Sequence, residues 1–276
     1  MATGGCGIVP IPMNRAEVSP AATVSALPSA RFDRLDALRG VAIVWMAVFH
    51  FCFDLNFFGY FEPRQRFQFD PFWTVQRTCI VTLFLLCAGM GQAVAIEAGQ
   101  SWQRFWRRWA QVAGCALLVS AGSALMFPKS WISFGVLHGI AVMLIIVRLL
   151  APRQLGQGRQ GYVVLLGLAM AALVLPRVVQ NPVFDNRWAN WVGLVTRLPR
   201  TEDYVPLLPW LGVMLAGVVL GHVLLKHRRH WLAGEVPTAV RPLAVLGTWS
   251  LAFYMVHQPV LIGAIRAWRW WTTGSF

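Results

Sequence analysis

The chain has 276 residues, of which 57% are hydrophobic and 13% charged, with a mean hydropathy of +0.56. That is too apolar for a water-soluble domain and specifies an all-α, polytopic helical membrane protein. The formal net charge of +13 would suit nucleic acid in a soluble chain. Here the basic residues stand at the ends of apolar runs, so membrane orientation explains them and no nucleic-acid partner is expected; anionic lipids or an anionic cosubstrate are secondary reasons.

In chain order, residues 1–30 are rich in Ala, Pro, Ser and Gly, lack periodicity, and read as a disordered cytoplasmic tail or a start codon placed too early. Residues 31–276 read as one transmembrane domain. Apolar runs place spans at about 37–58, 73–97, 109–126, 131–150, 161–176, 206–225 and 243–265. Residues 59–72, with Pro63 and Pro71, form a loop, and SWQRFWRRWAQ is a basic aromatic helix start at a membrane surface, leading into span 3. Residues 177–205 mix Arg177, Asp185, Arg187, Arg197, Arg200, Glu202 and Asp203 with Trp188 and Trp191. They read as the one sizeable extramembrane loop, with a short surface helix expected at 186–196. Trp73, Trp102, Trp131, Trp210, Trp270 and Trp271 fall at run ends, as an interfacial belt requires. Cys52, Cys79, Cys87 and Cys115 lie inside apolar runs without paired spacing and read as small core residues; Cys6 is in the tail.

Basic clusters set the expected orientation. Arg31, Arg34 and Arg39 lead span 1, and Arg104, Arg107 and Arg108 separate spans 2 and 3. Arg148, Arg153 and Arg159 separate spans 4 and 5, and Lys226, Arg228 and Arg229 separate spans 6 and 7. With seven spans all four lie on one side, which the positive-inside rule makes cytoplasmic together with the N-terminus.

The chemistry concentrates in RLDALRGVAIVWMAVFHFCFD, residues 34–54. Polar groups inside a membrane are costly and call for a reason. At 100° per residue Asp36, Arg39, Ile43, Met46, His50 and Asp54 share one helical stripe. Arg39 lies about three turns, roughly 16 Å, from His50. A guanidinium suits phosphate, and Asp36 reads as its partner. A carboxylate at Asp54, one turn beyond His50, can orient the imidazole of a general base; its bland alternative is a helix-end cap. His138, in FGVLHGIAV, and His257 are the other histidines within spans, and Arg77 near the outer start of span 2 is a further candidate. His222, His227 and His230 read as interface residues. No two in-span histidines are three or four residues apart, so no metal is expected.

Taken in order, RLDALRG…FHFCFD, FLLCAG, FGVLHGIA, PWLGVMLAG and LGTWSLAFYMVHQPVL resemble the bacterial members of the heparan-alpha-glucosaminide N-acetyltransferase-like catalytic-domain family over roughly 31–265. The first segment also resembles the acyltransferase-3 group, whose first span carries an Arg and then a His, here Arg39 and His50. The resemblance implies acetyl or other acyl transfer from cytoplasmic acyl-CoA to a sugar or glycan acceptor across a bacterial inner membrane. In that reading Arg39, Asp36 and His138 belong to the cosubstrate site, and His50 and Asp54 to catalysis, by direct transfer or through an acyl-His. One departure stands out. Lysosomal members place a catalytic His after span 1 and an Asn where this chain has His50, and residues 59–72 contain no His. Their mechanism therefore does not carry over, and O- and N-acylation both stay open. A transporter or flippase of a small anion or lipid-linked sugar explains an intramembrane polar stripe as well, and an envelope assembly partner is the third alternative. The acceptor, the acyl chain and the oligomeric state are not legible.

Overall fold

The computed structural model describes Met1, Ala2, Gly4 and residues 32–274. The tail expected to be disordered thus lies almost entirely outside the described residues, as does Cys6. From residue 32 onward the regular structure is helical: α1 (Asp33–Phe57), α2 (Pro71–Glu97), α3 (Trp102–Met126), α4 (Val136–Gly156), α5 (Arg159–Val178), α6 (Leu207–His227), α7 (Arg241–Thr248) and α8 (Ser250–Thr273). The first six are long and apolar enough to cross a bilayer; α7 and α8 pass that test only together and are bent by 85° at their junction. The chain is therefore an all-α bundle of six or seven spans.

The helix starts follow from local chemistry. The Asp70 side chain caps α2 through the Phe72 amide at 2.8 Å, with Pro71 at the first helical position, where its missing N–H costs nothing. Ser101 caps α3 through the Arg104 amide. This cap sets the α3 start at Trp102, so the helix start expected in SWQRFWRRWAQ runs without a break into the span expected from 109. Residues 131–135, expected inside span 4, precede α4. The surface helix expected at 186–196 is replaced by two short 3-10 turns, Pro182–Asp185 and Asn190–Val192.

The main core lies where α4, α5 and α6 meet α2 and α3. Leu85, Met143, Val147, Leu165, Met214 and Val218 are fully buried there. Because α2 packs along α6 and α5 along α6, α6 is covered on two sides. Its Gly217 sits so close to the α2 backbone that an added Cβ would lie 2.6 Å from the Leu86 carbonyl oxygen. This is small-residue packing that lets two apolar helices touch in lipid.

α1 joins the bundle differently. Its stripe turns inward as the sequence predicts: Ile43, Met46 and Asp54 are buried. Near its start α7 crosses it backbone to backbone, and a Cβ on Gly247 would collide with the Asp36 carbonyl, one on Gly40 with the Leu243 carbonyl. The single span expected at 243–265 is thus broken at Trp249. α7 grips α1 near Asp36 and Gly40, and α8 then runs beside its second half.

Candidate functional site

Two polar clusters sit on α1, one at each end of the stripe. At the first, Arg39 Nη1 donates to Asp36 Oδ1 at 2.6 Å, one turn back on the helix. The other arm lies against Gly91 of α2, where a Cβ would be 2.5 Å from Nη2. Arg108 of α3 is close enough for its charge to act on Arg39. The Arg39–Asp36 pair is neutral by itself, and the Arg108 charge acting on it makes the neighbourhood net positive.

At the second cluster α1 meets α8. The rings of His50 and His257 lie 5.1 Å apart, and the His257 ring stacks on Phe253 at 5.9 Å. His257 Nδ1–H donates to the Tyr254 carbonyl at 2.7 Å. That bond fixes the tautomer and leaves Nε2 as a lone-pair acceptor. Nε2 is buried without a partner. The next residue, Gln258, donates its Nε2–H to Asp54 Oδ1 at 3.3 Å, while Asp54 Oδ2 and Gln258 Oε1 are buried and unpartnered. His50 is half-buried, and none of the described hydrogen bonds ends on its ring. Three orphaned polar atoms within one turn of α8 and its α1 neighbour are costly in a membrane interior. Such unpartnered groups single this place out as a candidate site. Phe49, Phe67 and Trp73 wall it through edge and stacked contacts.

None of the described hydrogen bonds or ion pairs joins Asp54 to His50; Asp54 reaches α8 instead. His138 is elsewhere. It lies in the first turn of α4, at the end of the bundle opposite Arg39. There its Nδ1 accepts the Gly135 amide at 3.3 Å and its Nε2 faces Ser120 Oγ at 3.1 Å, the hydroxyl in turn donating to the Ile132 carbonyl at 2.6 Å. Both ring nitrogens are thus occupied in closing the start of a helix. Arg77 is exposed on α2, and its charge reaches Asp203.

Sequence reasoning passed over Asp203, Tyr204, Tyr254 and Gln258 as site residues. Asp203 Oδ2 takes the Val136 amide at 2.8 Å and so caps α4 across 67 positions. Burial pushes its carboxyl above the ordinary carboxylate value, and the Val136 amide and the Arg77 charge pull it part of the way back. Tyr204, whose hydroxyl donates to the Asn190 carbonyl at 2.7 Å, is likewise pushed up by burial. Asp203 also lies within electrostatic range of Tyr254, one turn before His257 on α8. The clearest local signal was the pairing of Tyr254 with His257, three residues apart on one helix. Among the described residues no group of three His, Cys, Asp or Glu is placed to hold a metal ion.

A bundle of spanning helices with an inward polar stripe between a cationic cluster and an imidazole pair marks an integral membrane protein with a candidate site in its interior. The family described as heparan-alpha-glucosaminide N-acetyltransferase, catalytic, matches residues 31–259, and the chain belongs to it. No curated protein and no solved structure matches the chain.

Proposed function

We propose that this chain moves an acetyl or longer acyl group from cytoplasmic acyl-CoA to a sugar or glycan acceptor on the opposite face of a bacterial inner membrane. Family membership supports membrane acetyl transfer. The observation that carries the rest is the α1 stripe, with surplus positive charge at Arg39 and an unengaged imidazole about 16 Å further along. Arg39, held by Asp36 and backed by Arg108, takes the CoA phosphates and brings the thioester down the stripe. His50 accepts the proton of the acceptor hydroxyl or amine as that atom bonds to the thioester carbonyl carbon. The carbon–sulfur bond breaks, and the leaving thiolate takes up the proton. Asp54 and Gln258 line the acceptor pocket with His257, whose free Nε2 holds an acceptor hydroxyl in position. This reading gives His138 a structural duty and no part in cosubstrate binding. The N-terminus is cytoplasmic, which puts the Arg39 cluster where acyl-CoA is made.

The test is purified protein reconstituted in liposomes with radiolabelled acetyl-CoA outside and inside, and with hexoses, hexosamines and glycan fragments as acceptors. CoA release that depends on an added sugar, with label recovered on that sugar, is the expected outcome. Movement of sugar or anion across the bilayer with no thioester consumed would replace this reading with the transporter alternative.

A further inference from the structure

The end of the bundle that holds Arg39 carries a second basic site, which the acyl-transfer reading leaves unused. A cavity of about 400 Å³ opens between the turn joining α2 to α3 and the last turns of α4, lined by Gln100, Trp102, Arg148, Leu149 and Arg153 among others. Arg148 forms one wall. Its Nη2 donates to the Gln100 carbonyl at 2.5 Å, and its guanidinium lies 4.8 Å from the Trp102 ring centre and 5.7 Å from that of Phe105. Its Nε is buried without a partner. The Gln100 bond engages one of five donors and no opposite charge. Arg153, on the following turn, is exposed.

What would neutralise these arginines is missing from the chain nearby. Between Ala98 and Phe184 the sequence contains no Asp and no Glu, so α3, α4 and α5 offer no counter-ion of their own. Glu97, at the edge of the cavity's loop, is already paired with Arg229 at 2.5 Å. A guanidinium flanked by aromatic rings in a low-dielectric setting is costly without a counter-charge. The approach to the cavity is apolar: Leu149 is 64% exposed, and Trp102 and Trp106 are 48% and 45% exposed. Exposed Trp and Leu beside a basic pocket at a helix end suit a headgroup and its acyl chains better than a hydrated anion.

We propose that this cavity binds the phosphate of an anionic phospholipid, with Arg148 and Arg153 on the phosphate oxygens and an acyl chain along Leu149 and Trp102. The test uses the full protein in detergent, titrated with phosphatidylglycerol or phosphatidylcholine and read by native mass spectrometry and by melting temperature. Phosphatidylglycerol is expected to stay bound and raise the melting temperature, while phosphatidylcholine does neither. Arg153→Gln, at an exposed position that leaves the fold intact, is expected to weaken phosphatidylglycerol retention about tenfold, and Arg148→Gln at least as much, because each variant removes a charge-assisted hydrogen bond to the phosphate. His50→Ala retains the lipid, so failure of the acyl-transfer reading leaves this one standing. Equal retention of the two lipids, or undiminished selectivity in Arg153→Gln, overturns the proposal. Equal protection by inorganic phosphate also overturns it, by making the cavity a soluble-anion site, and so does displacement of the lipid by acetyl-CoA, by making it part of the donor site.

Discussion

The start of α4 and the meeting of α1 with α8 both hold a histidine within a membrane helix, and they use it in opposite ways. At α4 the imidazole of His138 has a partner on each nitrogen, and the Asp203 carboxylate closes what remains of the helix terminus. At α1 and α8 the His50 ring carries none of the described hydrogen bonds, His257 has one bond, and Asp54, His257 and Gln258 each keep a buried atom unpartnered. On the proposed reading, the comparison separates structural from chemical use of one side chain. A group whose hydrogen-bonding capacity is filled inside the protein has none left for a substrate. An unfilled one costs stability, and a site is where such a cost is tolerated.

The largest effect that would break this contrast is at His50. His50→Ala is expected to lower acyl transfer by about 10²–10⁴-fold, the usual loss for a general base, with the melting temperature held or slightly raised. Transfer assays and a melting curve on the same preparation check it, and near-wild-type turnover would remove His50 from catalysis. The mirror experiment is His138→Ala. It leaves the Gly135 amide and Ser120 short of a partner and is expected to cost about 1–3 kcal/mol of stability, with turnover per folded molecule unchanged. A drop in turnover without a drop in stability would erase the distinction.

The smallest effect lies in the long loop, where Asp185 is held below the ordinary carboxylate value by the Thr196 hydroxyl and amide and by the Arg197 amide. A depressed carboxyl contributes stability above its unfolded value, about 3.9, and that stability fades as the pH falls through the folded value. The loop is therefore expected to become sensitive to acid-active protease below about pH 3.9, and Asp185→Asn to be sensitive already at neutral pH. A loop equally resistant in both proteins at both pH values would sink this expectation.

Much of the fold was legible because bilayer thickness fixes how long an apolar run must be. Six of the seven runs each match one helix, and the inward stripe of α1 follows from helical periodicity alone. Hydropathy misses where a helix starts. It begins span 3 only at 109, and the helix start at SWQRFWRRW has to be read from other chemistry, since Arg and Gln are good helix formers and Ser101 supplies a cap. It also carried span 7 straight through Trp249, because an 85° bend changes no residue's polarity. The bend follows from the collision limits at Gly40 and Gly247, which bring α7 flat against α1.

The site was half legible. Arg39 and His50 could be singled out as candidates because they are anomalous where they stand. Asp203 could not, since a charged residue in a charged loop is unremarked until the chain brings it 67 positions back to Val136. Nor could the Asp54–Gln258 pairing, which joins positions 204 residues apart.

The unbroken course of α1 has a consequence for the donor. Asp33–Phe57 is one uninterrupted helix carrying both Arg39 and His50, so their separation of about 16 Å is as stiff as the helix itself. It works as a ruler. On the proposed acyl-transfer reading, a donor gripped by its phosphates at one mark must present its reactive carbon at the other, which selects a long, slender arm between phosphate and acyl group. A compact donor such as acetyl phosphate, with phosphorus one atom from the acyl carbon, can sit at either mark but never at both.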